Sequence, residues 1–469
     1  MSQTATPLTA EVPQGLSAEF RATLALAWPL AAANLLQMLV HAIDVIFVAR
    51  LGDAALAASS LGVSIFGLLV WTGTGLVGAV APLIAAEIGR RKHAVREVRR
   101  SVRMALWLSV IVGVAAMGVC MMGGWVMRVT GQPPETSARA MDFLTILMWG
   151  MIPMIAASVL RIFVSALGRP RIATAITFGA LFVNALGNWT LVFGNLGMPA
   201  LGLEGSALSS VLTSTAMLLA YVAIIQFDRR FRRYRLFGNW WRPEWTRLKE
   251  MVVIGTPIGL TILAEAGLFT GAAFLMGRIG ETELAGHTIA LQVAALAFQI
   301  PFGVAQAATI RVGLAYGARD PRGIGLAGQA SLILGIGFMA LTALVIWLFP
   351  SLVLSIYVDV DAARNAAMVG FAMQFLIVAA AFQLFDGAQA VAAGALRGLQ
   401  DTRTPMIIAV CGYWIAGYGT AIYLGFWTPL QGVGVWIGLA VGLVVVAGLL
   451  MLRWRMRTRL GLLPSTAVG

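Results

Sequence analysis

The hydrophobic positions of this chain fall into twelve long runs separated by short polar stretches. They lie at about residues 22–49, 55–88, 102–124, 140–167, 171–194, 203–227, 251–277, 283–314, 326–349, 364–394, 406–424 and 432–452. Runs of this length with few charges predict helices that cross a bilayer, each needing about 20 apolar residues. The expected fold class is an all-α membrane protein with twelve transmembrane helices.

The pattern repeats. Residues 28–91 and 256–319 align without a gap at an offset of 228. Pro29/Pro257, Arg50/Arg278, Gly52/Gly280, Gly75/Gly303, Gly89/Gly317 and Arg91/Arg319 are among the coincident positions. The matched placing of helix-starting prolines, Arg-x-Gly turns and Gly-x-Arg junctions carries more weight than the count of identities. Six runs per half return the chain to its starting side, so the halves share an orientation. That is a parallel repeat about an axis along the membrane normal, with a site expected between the halves. The implied organisation is a tail over 1–21, an N-lobe over 22–227, a basic linker over 228–250, a C-lobe over 251–452 and a tail over 453–469. The linker interleaves arginines with Trp240, Trp241 and Trp245. It is expected to be a tether with aromatic anchors at the inner leaflet.

Composition agrees with this picture and removes alternatives. Hydrophobic residues make up 59% of the chain and charged ones 11%, where soluble domains carry about 25% charged residues. With a mean hydropathy of +0.86, soluble enzymes, disordered chains and collagen-like fibres are excluded. Cys120 and Cys411 both lie in apolar runs, which argues against a disulfide framework or a thiolate metal site. Residues 1–20, polar with scattered prolines, are expected to be a cytoplasmic tail rather than a cleavable leader.

A net charge of +13 raises nucleic acid as a partner, but the distribution argues otherwise. If the N-terminus is cytoplasmic, the inner loops and C-terminal tail hold 25 Lys and Arg, against five in the outer loops (Arg50, Arg128, Arg139, Arg278 and Arg364). This positive-inside bias puts both termini in the cytoplasm. The basic excess then serves topology and lipid contact, and no nucleic-acid partner is expected.

Most of the acidic residues fall in loops or at the ends of runs; three lie deeper, Asp44 in the first run, Glu265 in the seventh and Asp386 in the tenth. A carboxylate at the bilayer centre costs about 2.5–3.5 kcal/mol, and such acids face cavities on ion or substrate paths. No lysine or arginine lies deep enough in a run to pair obviously with them. A buried hydrogen bond between helices accounts for any one acid, but poorly for all three. Glu265 aligns with Gln37 and Asp44 with Ala272, so the halves carry their acids at different depths. That suggests divided labour, with a coupling ion in one half and cargo in the other.

A carboxylate in a low-dielectric cleft tends to take up a proton or a cation, and oxygen ligands suit a hard cation. Asn184 and Asn188, four apart on one helix face, serve either as neutral ligands or as interhelical glue. Glu87, beside Arg90 and Arg91, is expected to form an interfacial ion pair. His41 is one turn from Asp44 and is expected to pack rather than titrate. The histidines show no metal-ligand spacing. GTGLVGAV lies inside a run and is no phosphate loop. No Walker A motif supports ATP drive, and no nucleophile elbow or paired-Cys motif supports an enzyme.

The stretches WPLAAANLLQMLVHAIDVIFVARLGDAALAA, PIGLTILAEAGLFTGAAFLMGRIG, LAFQIPFGVAQAATIRVGLAYGARD and FDGAQAVAAGALRGLQDTRTPM resemble those of the multidrug and toxic compound extrusion (MATE) transporters, in particular the NorM branch. The resemblance covers about residues 20–455. It implies a V-shaped pair of six-helix lobes around a central cleft, and export of organic cations and amphipathic drugs in exchange for Na+ or H+. By position, Asp44 resembles the family's N-lobe aspartate, with Asn184 and Asn188 as its polar partners. Glu265 and Asp386 resemble the C-lobe cation-binding pair, ligands for Na+ if the coupling ion is sodium. Ser210 stands where relatives often have threonine. Gln37, Ser64, Thr288 and Asp361 are further candidates for substrate contact, although Thr288 occupies a position that is often glutamine.

The expected function is secondary multidrug antiport by alternating access in a bacterial inner membrane, with a monomer sufficing and no cofactor beyond the coupling ion. The alternative is a flippase for lipid-linked precursors, which would favour a cationic interior. A channel or scaffold would show no dependence on ion gradients.

Overall fold

A computed structural model describes residues 15–91, 93–238 and 241–464. Twelve helices in it are long and apolar enough to cross a membrane. They are α1 Leu16–Ala49, α2 Asp53–Arg90, α3 Ala94–Met121, α4 Pro134–Ala166, α5 Pro170–Phe193, α6 Leu203–Phe227, α7 Trp245–Ile279, α8 Glu281–Gly317, α9 Pro321–Leu348, α10 Ala363–Gly398, α11 Arg403–Phe426 and α12 Gln431–Arg455. Among the described residues there is no β-strand. Prolines open α4, α5 and α9, where a missing N–H costs nothing. The Asp320 side chain caps α9 by accepting from the Arg322 backbone N–H at 3.1 Å. Large side chains such as Phe227, Phe274 and Leu219 are exposed, as lipid-facing positions require.

The helices outrun the apolar runs at several ends. α1 begins at Leu16 and α7 at Trp245, inside stretches expected to be tail and linker, because polar residues there find partners. Trp241 and Trp245 are largely exposed, as expected of anchors; Trp240 and the ends of both tails lie outside the described residues.

The chain resolves into two units, Ala32–Gly259 and Leu260–Gly469 together with Met1–Ala31. The opening turns of α1 therefore pack with the second half, and those of α7 with the first. Two matched crossings account for this exchange. In the second-half unit, a Cβ on Gly303 of α8 would lie 2.7 Å from the Ala31 nitrogen of α1. In the first-half unit, a Cβ on Gly259 of α7 would lie 3.0 Å from the Thr72 carbonyl of α2. Ala31 and Gly259 are equivalent at the repeat offset of 228, so a small residue at the same place in each half allows the close approach.

Each crossing ends in an ion pair. Glu19, in the first turns of α1, is 2% exposed and receives Arg311 Nε at 2.7 Å and Nη2 at 2.5 Å. In the other unit, Arg247 near the start of α7 reaches Glu87 at 2.7 Å, Glu97 at 2.8 Å and Glu250 at 2.8 Å. Glu87 was expected to pair with Arg90 and Arg91, but its ion pair is with Arg247, and Ser101 donates to it at 3.0 Å. The α2 terminus turns its carboxylate toward α7, a long-range partner invisible in local sequence. Glu244 joins the same group through Arg100 and Arg103.

Inside the second-half unit, α8, α10 and α12 pack around Trp436, Tyr413, Phe375 and Phe382, all buried. A Cβ on Gly394 of α10 would run into the Ala305 carbonyl of α8. The bare backbone there also lets Thr309 donate to the Gly394 carbonyl at 2.8 Å. In the first-half unit, α5 and α6 approach through Gly187, where a Cβ would meet the Ser209 hydroxyl.

Candidate functional site

The α5–α6 contact places the polar side chains of the first-half unit. Because Gly187 presents no side chain, Ser209 reaches across to donate to the Asn184 carbonyl at 3.1 Å. Its neighbour Ser210 donates to Asp44 Oδ2 at 2.9 Å. Asn184 and Asn188, one turn apart and fully buried, donate from their Nδ2 atoms to Asp44 Oδ1 at 2.9 and 2.8 Å. Asp44 is thus gripped by three uncharged donors. Asn188 Oδ1 is buried without a hydrogen-bond partner among the described residues, and Asn184 Oδ1 accepts at 3.3 Å from Asn188. Carboxylate and amide oxygens of this kind are the ligands a hard cation prefers.

The second-half unit assembles two acids. Gln389, one turn after Asp386 on α10, directs Nε2 to Asp386 Oδ1 at 3.3 Å and to Glu265 Oε1 of α7 at 3.4 Å. Tyr413 of α11 donates to Gln389 Oε1 at 3.0 Å, which fixes the amide with its NH2 toward the carboxylates. Tyr413 lies in a π-helical stretch, Gly412–Tyr418, a departure from regular winding that often marks functional positions. Gly267 and Gly271 of α7 make room for Trp414 and Tyr418 from that stretch; a Cβ on either would lie 2.7 Å from an aromatic ring. Among the described residues, no Lys or Arg nitrogen lies within 4.0 Å of Asp44, Glu265 or Asp386. Arg397, assigned on sequence to an inner loop, belongs to the last turn of α10 and is electrostatically coupled to Glu265. It tempers the negative charge without forming a contact ion pair.

The structure thus joins Asp44, Asn184, Asn188 and Ser210 in one cluster and Glu265 with Asp386 in another. The remaining candidates stand apart. Ser64 gives its hydroxyl to the Ser60 carbonyl at 2.7 Å and Thr288 to the Leu284 carbonyl at 2.9 Å. Asp361 is exposed in the turn between α9 and α10, its backbone N–H donating to Asp359 at 3.2 Å. Gln37 is half-buried on α1 and bonds to none of the three acids. Gln389, Tyr413 and Arg397 went unforeseen. The signal for Gln389 was its spacing of three from Asp386 in an otherwise apolar helix.

A duplicated set of membrane-length helices with carboxylates held among uncharged polar partners defines a polytopic membrane protein with two acid clusters. The chain belongs to the MatE family, whose profile matches residues 29–190 and again 257–422. The two matches start 228 residues apart, the offset found within the sequence. The chain is 44% identical over 461 residues to a protein of Mesorhizobium japonicum named Probable multidrug resistance protein NorM, covering 98% of both chains. It is 42% identical over 437 residues to a protein of the same name from Brucella suis, covering 93% of each. The fold is similar to the crystal structure of the eukaryotic MATE transporter AtDTX14, with a TM-score of 0.85 at 19% identity, covering 94% of this chain and 96% of that one. It is also similar to an outward-facing multidrug resistance MATE family transporter of the MOP superfamily, with a TM-score of 0.84 at 22% identity, covering 95% and 97%. The protein is a multi-pass integral membrane protein.

Proposed function

We propose that this protein exports cationic and amphipathic organic compounds in exchange for Na+ or H+, by alternating access. The observation that carries the reading is the Glu265–Gln389–Asp386 bridge. Two carboxylates share one amide with no contact cation from the protein, so a proton or Na+ entering the cluster relieves their mutual repulsion. The amide NH2 does for each oxygen, through a hydrogen, part of what such a cation does. Loading and unloading this cluster biases which state the helices adopt, while Asp44 with its neutral donors attracts the cationic group of the cargo. The driving force is the ion gradient, about 2.3 kcal/mol per elementary charge for each 100 mV. The 25-to-5 distribution of basic residues supports both termini facing the cytoplasm in a bacterial inner membrane. Each chain carries both clusters, which supports a working monomer.

The test is ethidium efflux from proteoliposomes, with Na+ and pH gradients imposed separately. Wild-type protein should respond to at least one gradient. Glu265→Gln and Asp386→Asn should each abolish the gradient-dependent part while remaining folded in the membrane. Undiminished gradient-driven efflux by both variants would refute the coupling role.

A further inference from the structure

The first-half unit holds a second polar cluster that ion coupling leaves unused, and it is of opposite sign. Arg161 lies within α4, clear of the basic loop that follows it, and its guanidinium Nη1 donates to Asn34 Oδ1 of α1 at 3.3 Å. Tyr221 of α6 is electrostatically coupled to it. Asn34 is 6% exposed and Tyr221 1%. Asn34 Nδ2 and Tyr221 Oη are both buried without a hydrogen-bond partner among the described residues, and no carboxylate there lies within 4.0 Å of Arg161.

Each feature is costly alone. An arginine within a membrane helix is costly, up to about 2.5–3.5 kcal/mol at the helix centre, and each unsatisfied buried polar group costs about 1–3 kcal/mol. An arginine that only reached for the membrane surface would not require an amide and a phenol buried around it. Three separate helices contribute these groups, and the two atoms without a partner among the described residues, Asn34 Nδ2 and the Tyr221 hydroxyl, can both donate, as the guanidinium does. Such a set is complementary to an anion. One guanidinium balances a single negative charge, and its planar fork matches the two oxygens of a carboxylate. A doubly charged phosphate would leave excess charge buried.

We propose that Arg161, Asn34 and Tyr221 form a carboxylate-binding subsite in the first-half unit, which holds the acid group of zwitterionic organic substrates. The proposal rests on the export reading only for its physiological meaning, because the site itself is tested by binding. The probes are rhodamine 110, which carries a free carboxylate, and rhodamine 123, its methyl ester. Their dissociation constants are measured by fluorescence anisotropy on purified protein. The selectivity for the acid over the ester, taken as the ratio of the two constants, should fall about tenfold or more in Arg161→Gln, the loss expected for a charge-assisted hydrogen bond. Tyr221→Phe, which removes a single oxygen, should lower it severalfold and stands in if the arginine variant misfolds. Sodium benzoate, compared with sodium chloride at equal ionic strength, should displace rhodamine 110 from the wild type but not from Arg161→Gln. A ratio within twofold of wild type in both variants overturns the subsite, as does failure of wild-type protein to bind rhodamine 110. Rhodamine 123 efflux from proteoliposomes reports separately on export. If that efflux is absent while the binding ratio depends on Arg161, the export reading falls and the subsite stands.

Discussion

The first-half and second-half units repeat one helical plan and differ in how they place charge on it. Asp44 stands alone among three neutral donors, Asn184, Asn188 and Ser210, whereas Glu265 and Asp386 stand together and share one, Gln389. The crossings of α1 with α8 and of α7 with α2 use equivalent small residues, yet their ion pairs are reversed in sign. Glu19 and Arg247 are equivalent at the repeat offset of 228; the first takes an arginine and the second takes glutamates. Backbone approach is thus the shared requirement of the fold, and the sign of the charge is free to differ between halves. That freedom lets one duplicated scaffold offer two chemically unlike clusters.

Breaking the ion pairs should have the largest effects. Removing one partner of a buried pair costs about 3–5 kcal/mol because the other charge is stranded. Arg247 faces three carboxylates and Arg311 one, so Arg247→Ala should lower thermal stability in detergent by more than Arg311→Ala. The sign reversal itself is tested by Glu19→Arg, which should be as damaging as the loss of Arg311, and by Glu19→Arg with Arg311→Glu, which should recover most of the loss. A double variant no more stable than either single one would show that sign is dictated by surroundings beyond the pair.

The helix crossings come next. A Cβ at Gly394 meets backbone, the Ala305 carbonyl, whereas a Cβ at Gly187 meets the Ser209 hydroxyl, a side-chain tip. Backbone cannot swing aside, so Gly394→Ala should cost about 1–3 kcal/mol, in the range of core overpacking. Gly187→Ala should cost less, chiefly the Ser209–Asn184 hydrogen bond at about 1 kcal/mol. Thermal unfolding of the two variants side by side checks the order; equal losses would remove the distinction between the crossings.

Periodicity made much of this legible in advance. The twelve helices follow from apolar run length, and the duplication from the matched prolines and glycines. Asp44, Glu265 and Asp386 stood out because acids are rare within such runs, and Asn184 and Asn188 because their spacing puts them on one face. What escaped depends on three-dimensional approach. Glu87 has arginines beside it in sequence and pairs with Arg247 instead, since α7 crosses α2 at that level. Arg397 looked like a loop residue because apolarity fades before the helix does. Gln389 and Tyr413 are ordinary in composition and gain meaning only when α7, α10 and α11 converge. The polar starts of α1 and α7 were read as tail and linker because their helical state depends on Arg311 and Glu87, far along the chain.

The smallest predicted effect sharpens the contrast between the acid clusters. In the first-half unit the donors touch Asp44 directly, so Ser210→Ala should weaken that cluster in a single step. In the second-half unit Tyr413 touches neither acid and acts through the Gln389 amide, which it holds with NH2 toward Glu265 and Asp386. Tyr413→Phe removes one neutral hydrogen bond, worth about 1 kcal/mol, while keeping the ring that fills the core. Without Tyr413 to hold it, the amide can turn its oxygen toward a cation that enters between the carboxylates, and it then offers a ligand where it had offered a donor. The coupling-ion concentration giving half-maximal ethidium efflux should therefore shift about fivefold, the ratio matching that energy, with a smaller change in maximal rate. Tyr413→Trp, which keeps a donor in the wrong place, should not restore the wild-type value. A Tyr413→Phe protein with unaltered ion dependence would mean that Gln389 is oriented by the acids alone, and the second-half cluster would then be as directly built as the first.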